Sequence, residues 1–276
     1  MAYSGSPVLI EDLLYTTENS LIVQSLHAQL GVEPTNGDGF GVGWYDDRPT
    51  PGLYRSTEPA WNDRNLREVA GHISSKMVLA HVRASTGTPV QLTNCHPFRH
   101  GPWLWMHNGA LAGFQNMKRD LALAVAPELF PHIEGSTDSE LFFYLALTFG
   151  LEADPPAAVA RAVGLIEEVG RKHGEQFPVQ MTVATTDGDT LWAFRYSTEG
   201  RSRSLFRSTD ISTLREQYPD NPVLHRLSDD ARLVVSEPLG GLRGAWHEVP
   251  ESTCIVIRHG QEEFSPFAPT VLEPVG

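Results

Sequence analysis

The stretch AHVRASTGTPVQLTNCHPFRHGPWLWMHNGAL, Ala80 to Leu111, decides how this chain is read. Two apolar runs frame it, Met77 to His81 and Trp103 to Met106. They are rich in Val, Leu and Trp and bounded by Gly and Pro, the pattern of buried strands. Arg83 and Asn108 are expected at the two strand ends. A guanidinium can hold a carboxylate in a two-pronged grip, and an Asn-Gly pair offers an amide and a backbone N–H to an oxyanion. That combination points to amide chemistry.

On the N-terminal side, Asn36 to Tyr45 alternates Gly37, Gly39, Gly41 and Gly43 with larger residues, so a strand there has one small face that lets something approach closely. A dinucleotide loop is excluded, because G-x-G-x-x-G needs glycine at 42 or 44, where Val42 and Trp44 stand. Ala2 to Gly5 reads as the end of a first strand, with Ser6-Pro7 capping a short helix through Tyr15. Leu21 to Gln29 reads as a helix stopped by Gly31, and Asn62 as the cap of another through Ile73. On the C-terminal side helices are expected over Phe114 to Ala126, from a Ser136 or Thr137 cap to about Phe149, and from Pro155 to about His173. Strands follow at Val179 to Thr186, Thr190 to Tyr196, Arg232 to Val235 and Thr253 to Arg258, the first two joined by an Asp187-Gly188 hairpin. Strands, then helices, then strands predict an α+β fold, two sheets between helical layers.

The 276 residues carry 21 Lys plus Arg against 34 Asp plus Glu, a formal charge of −13 that repels phosphate backbones and anionic lipid surfaces. Neither nucleic acid nor a membrane is expected as a partner. No basic, apolar leader and no run of about 18 apolar residues is present, so a cytoplasmic protein is expected. Cys95 and Cys254 cannot build a disulfide framework. His96, His100 and His107 lack metal-site spacing, so no metal and no cofactor is expected.

The motifs NGDGFGVGWY (Asn36 to Tyr45), AHVRAST (Ala80 to Thr86), NCHPF (Asn94 to Phe98), HNG (His107 to Gly109) and STDSE (Ser136 to Glu140), in this order, resemble those of the class II glutamine amidotransferases. SEPLG near Ser236 is a further family-like segment. The resemblance implies an N-terminal-nucleophile hydrolase fold, a four-layer αββα sandwich of two mostly antiparallel sheets. It covers residues 2–150 most clearly, with 151–276 completing one domain over 1–276. It assigns Arg83 to the substrate α-carboxylate, Asn108 and Gly109 to the oxyanion hole and Asp138 to the α-amino group. Ala84, Thr86 and His96 are expected around the substrate, His96 supporting the site from behind. Asp138 has a second reading, as an acidic residue favoured by the first turn of a helix.

The family's nucleophile is an N-terminal cysteine ahead of an AYSG-like strand, and this sequence opens Met1-Ala2-Tyr3-Ser4-Gly5. The expectation is a start placed too late, with the cysteine just before Ala2, and no glutaminase activity from the sequence as written. Two alternatives stand beside it: Cys95 as a nucleophile next to His96, and a module that binds γ-glutamyl ligands without chemistry. A glutaminase subunit feeding a separate synthetase is weighed against a stand-alone hydrolase of γ-glutamyl amides, and the latter is favoured. The loops Arg99 to Trp103 and Ser197 to Pro222 are expected to shape what enters the site.

Overall fold

In the computed structural model, residues 1–30, 33–85 and 87–270 are described. The strands of the N-terminal half are β1 Ala2–Leu9, β2 Phe40–Trp44, β3 Gly52–Ser56, β4 Ser74–Val82, β5 Phe98–His100 and β6 Trp103–Leu111. Those after residue 150 are β7 Val179–Thr186, β8 Thr190–Ser197, β9 Phe206–Ser208, β10 Arg232–Val235, β11 Trp246–Glu248, β12 Thr253–Arg258 and β13 Gln261–Pro266. The α-helices are α1 Ile10–Leu14, α2 Leu21–Leu26, α3 Arg64–Ala70, α4 Phe114–Leu123, α5 Asp138–Thr148, α6 Pro155–Lys172, α7 Ile211–Gln217 and α8 Pro222–Arg226. One sheet runs β11-β9-β10-β1-β4-β2-β3 and the other β13-β12-β8-β7-β6-β5, with every described pairing antiparallel.

Three apolar clusters make the sandwich. Successive strand residues point to opposite faces, so in β4 Met77 and Leu79 join the layer between the sheets while Val78 and Ala80 pack under α1 and α2. In β6, Leu104 and Met106 face the same central layer, and Trp103 and Trp105 face the helices α4, α5 and α6. Trp105 stacks on Phe143 of α5 at 5.6 Å between ring centroids and meets Phe142 edge-on. Helix α5 is buried from Ser139 to Leu147, because β6 lies beneath it and α4 and α6 flank it. This is the expected α+β αββα architecture. No described helix is long and apolar enough to cross a membrane.

Several local expectations need correction. Ser6-Pro7 does not open a helix: both stay in β1, whose register against β4 shifts between Ser4 and Val8. Pro7 thus sits in a bulge, where its missing N–H breaks no ladder bond, and α1 starts at Ile10. Helix α2 ends at Leu26, not Gln29, because the chain folds back through Ala28 N–H to Pro34 O and Asn36 N–H to Ser25 O; Gly31 lies outside the described residues. Asp63, not Asn62, caps α3, accepting from Leu66 N–H at 2.8 Å. Helix α3 stops at Ala70 and α4 at Leu123, both short of the expected ends. Asn108 lies inside β6, three residues before its end. Strands β3, β5, β9, β11 and β13 have no counterpart among the expectations. The cap of α5, the span of α6, the Asp187-Gly188 hairpin and β7, β10 and β12 fall where the residues predict them.

Candidate active site

The glycine alternation of β2 sets the depth of the site. A Cβ on Gly41 would stand 2.2 Å from the His96 carbonyl oxygen, and one on Gly43 would stand 2.6 Å from Leu104 Cδ1. Glycine therefore lets β2 touch both the NCHPF loop and β6, as its small face predicts. Between the sheets, where β1 begins and β4 ends, opens a cavity of about 460 Å³. Met1, His81, Arg83, Ala84, His96, Asn108, Gly109 and Asp138 all line it.

The wall on β6 is tightly tied. Asn108 and Gly109 pair with Thr182 and Met181 of β7. Gly109 has φ 152°, and a Cβ there would meet Gln180 O at 2.0 Å and His107 Nε2 at 2.5 Å, so no side chain fits. His107 is buried between Ser139 Oγ, 2.9 Å from Nδ1, and Gln180 O, 3.2 Å from Nε2. Burial lowers its pKa. The carbonyl can only accept, so in the neutral ring Nε2 carries the proton and Nδ1 is left as an acceptor that shares the single Ser139 hydroxyl proton with Asp138 Oδ1, 3.1 Å from Oγ. Asp138, the first residue of α5, accepts from Leu111 N–H at 2.8 Å and Ser139 N–H at 2.7 Å. Its helix-start reading and its place in the cavity hold together, because Thr137 supplies the cap by accepting from Glu140 N–H.

The opposite wall is a loop. Arg83 is buried, and its backbone pairs with Asp38 and Gly39. Nη1 donates to Asp38 O at 3.3 Å, while Nη2 reaches Ser85 Oγ, Thr88 Oγ1 and Pro89 O at 3.1, 2.7 and 3.3 Å. The guanidinium thus shapes the 84–89 loop as well as facing the cavity. Thr86 lies outside the described residues. Asn94, which the sequence reading passed over, ties this loop to the STDSE segment: Nδ2 donates to Pro89 O at 2.9 Å, and Oδ1 accepts from Ser136 N–H at 2.9 Å.

His96 lines the cavity, and among the described residues neither ring nitrogen has a hydrogen-bond partner. Its ring packs 4.3 Å from that of His81, whose Nδ1 is also unpartnered. Burial holds both imidazoles neutral, pushing His81 down to about 3 and His96 well below its ordinary value. Cys95 points elsewhere. Its Sγ donates to Ser56 O at 3.4 Å and Gln91 O at 3.6 Å, and burial raises its pKa, which opposes a thiolate.

Sequence reasoning missed three contributors. Met1 lines the cavity, its backbone bonded both ways to Ala80 at 2.8 Å, and burial pushes its amine down to about 5. Glu237, in the SEPLG segment, accepts from Gln29 and Leu30 N–H at 2.9 and 3.0 Å and closes the cavity rim. Arg203 donates to Asn108 Oδ1 at 3.3 Å. It falls within the expected entry-shaping segment, but no motif marks it.

Known proteins match this arrangement. The family description "Glutamine amidotransferases class-II" fits residues 14–272. A probable glutamine amidotransferase of Saccharomyces cerevisiae, DUG3, is 34% identical, covering 91% of this chain and 79% of that protein. A γ-glutamyl-hercynylcysteine sulfoxide hydrolase of Mycolicibacterium smegmatis is 29% identical over 86% of this chain and 97% of its own length. Among solved structures, a glutamine aminotransferase class-II domain protein of Silicibacter pomeroyi superposes with a TM-score of 0.75 at 34% identity, covering 98% of both chains. The Bacillus subtilis glutamine phosphoribosylpyrophosphate amidotransferase, at 14% identity and a TM-score of 0.64 over 98% of this chain and 49% of its own, shares the fold. With its αββα sandwich and its ordered motifs around one cavity, this chain belongs to the class II glutamine amidotransferases, built on the N-terminal-nucleophile hydrolase fold.

Proposed function

We propose that this chain hydrolyses the side-chain amide of glutamine or of a γ-glutamyl compound. One observation carries the reading: a cation, a carboxylate and an unpartnered amide donor converge on one cavity. Arg83 takes the α-carboxylate and Asp138 the α-ammonium. Asn108 Oδ1 is bonded to Arg203, so Nδ2 is turned away from that bond and, with the Gly109 N–H, is available to a carbonyl oxygen. The relative from Mycolicibacterium smegmatis, a γ-glutamyl hydrolase matched over nearly its whole length, supports hydrolysis over ammonia delivery to a synthetase.

The nucleophile in this proposal is a cysteine carried ahead of Ala2, because Met1, the residue just before β1, lines the cavity. Its α-amino group takes the thiol proton, the thiolate attacks the amide carbon, and the amine leaves with that proton. Water then cleaves the thioester, giving the γ-carboxylate and the free thiol. Burial at this end of the cavity pushes the Met1 amine down to about 5. The test is ammonia or amine release from glutamine and γ-glutamyl peptides by protein extended to include that cysteine. Release that disappears on Cys→Ala substitution is expected. No release by the extended form, or equal release by the form starting at Met1, overturns the proposal.

A further inference from the structure

Two arginines line the cavity, and they are held differently. Arg83 is engaged with its own loop. Arg203 is half-buried and bonds only to two neutral amide oxygens, from Nη1 to Asn108 Oδ1 at 3.3 Å and from Nε to Gln180 Oε1 at 3.4 Å. Both distances lie beyond the usual N–H···O range. Among the described residues no carboxylate stands within 4.0 Å of its guanidinium, and Nη2 has no protein acceptor. Burial pulls its pKa below the ordinary value. Asp138 and Glu33 are the nearest opposing charges, and neither makes an ion pair with it; a guanidinium drawn partly out of water with no carboxylate in contact is a binding group for an anion, and its planar fork suits a carboxylate.

Position narrows which anion. The bond to Asn108 sets Arg203 beside the oxyanion donor, next to the amide that would be cleaved. In the proposed γ-glutamyl reading, on which this inference rests, Arg83 and Asp138 already match the α-carboxylate and α-ammonium of the glutamyl end. Arg203 is then the cation beside the scissile amide that the glutamyl end leaves unused; Glu33 and Glu237 also line the cavity, but neither pairs with it. Glutamine, whose leaving group is ammonia, offers it nothing. An amino acid joined through its nitrogen carries a carboxylate two bonds from that nitrogen. We propose that Arg203 binds the carboxylate on the amine side of the scissile amide, so that the site prefers γ-glutamyl amino acids or short γ-glutamyl peptides to glutamine.

Binding calorimetry on the chain as printed tests this without turnover, using γ-glutamylglycine and γ-glutamylethylamide, which share the glutamyl end and differ in the carboxylate. The wild type is expected to bind the glycine compound about tenfold tighter or more, as a charge-assisted pair implies. Arg203→Met should bind both equally, with the wild-type affinity for the ethylamide, and Arg203→Lys should restore part of the difference. Three outcomes overturn the assignment: no preference in the wild type, an undiminished preference in Arg203→Met, or an equal loss for both compounds in Arg203→Met. The third marks Arg203 as a mere support for Asn108. Failure of the wild type to bind either compound is a different result, which removes the γ-glutamyl reading and the role of Arg203 with it.

Discussion

The two walls of the cavity are built by different means. On one side, His107, Asn108 and Gly109 lie within an antiparallel ladder with β7, and Asp138 opens a capped helix. On the other, Arg83 and Arg203 project from loop segments, held by side-chain bonds of 2.7 to 3.4 Å. A donor that must meet a developing oxyanion gains from a frame that cannot move. Groups that grip a flexible, charged ligand can ride on loops, and so can vary with the ligand. The ladder wall is expected to carry the chemistry and the loop wall the selectivity.

The sharpest way to break this contrast is Gly109→Ala. Its Cβ would overlap Gln180 O on the neighbouring strand, and a loss of about 3 kcal/mol or more in urea unfolding is expected. A loss under about 1 kcal/mol would mean that the ladder wall yields. Next in size, Asn108→Ala in the cysteine-bearing extended protein should lower turnover of a γ-glutamyl substrate by roughly 10²–10³ with KM little changed. A change confined to KM would move Asn108 into the recognition group.

On the loop wall, Arg83→Lys keeps the charge and loses the fork. Affinity for a γ-glutamyl ligand, measured by calorimetry, is expected to drop by about tenfold, and Asp138→Asn, at the recognition residue on the ladder wall, should act likewise. Unaltered affinities in both variants would sink the assignment of these residues to the amino-acid end.

The pH axis probes the imidazoles between the walls. His81, held near 3, and His96, held well below its ordinary value, are neutral in the fold. In the unfolded chain both take up protons near pH 6.5. Protons therefore favour unfolding as pH falls, so their contribution is intact above about 6.5 and declines from there toward 3. His96→Asn should flatten the acid side of a plot of Tm against pH, whereas an unchanged profile would place the acid sensitivity elsewhere. The smallest effect is expected from Cys95→Ala, which should leave turnover per folded molecule unchanged; a large loss would revive Cys95 as nucleophile.

What was legible in the sequence follows the same division. Period-two apolar runs, glycine alternation and an Asp187-Gly188 turn are local consequences of backbone geometry, so β4, β6, β7 and their hairpin partner could be read directly. Ser6-Pro7 misled because its helix-start chemistry also suits a bulge, and only pairing with β4 decides between them. Strands β9, β11 and β13 lie mostly half-buried or exposed and carry no clear alternation, so their partners define them.

By itself the sequence determined the order of elements, the motifs and thus the family, because each rests on residues close together in the chain. Tertiary structure alone decided that Arg203, 95 positions from Asn108, stands against it. It also left His96 without a partner among the described residues and turned the Cys95 thiol away from the cavity. Those facts depend on how the two sheets pack face to face and on loops that bring distant residues together, and no local propensity encodes contacts at such separation.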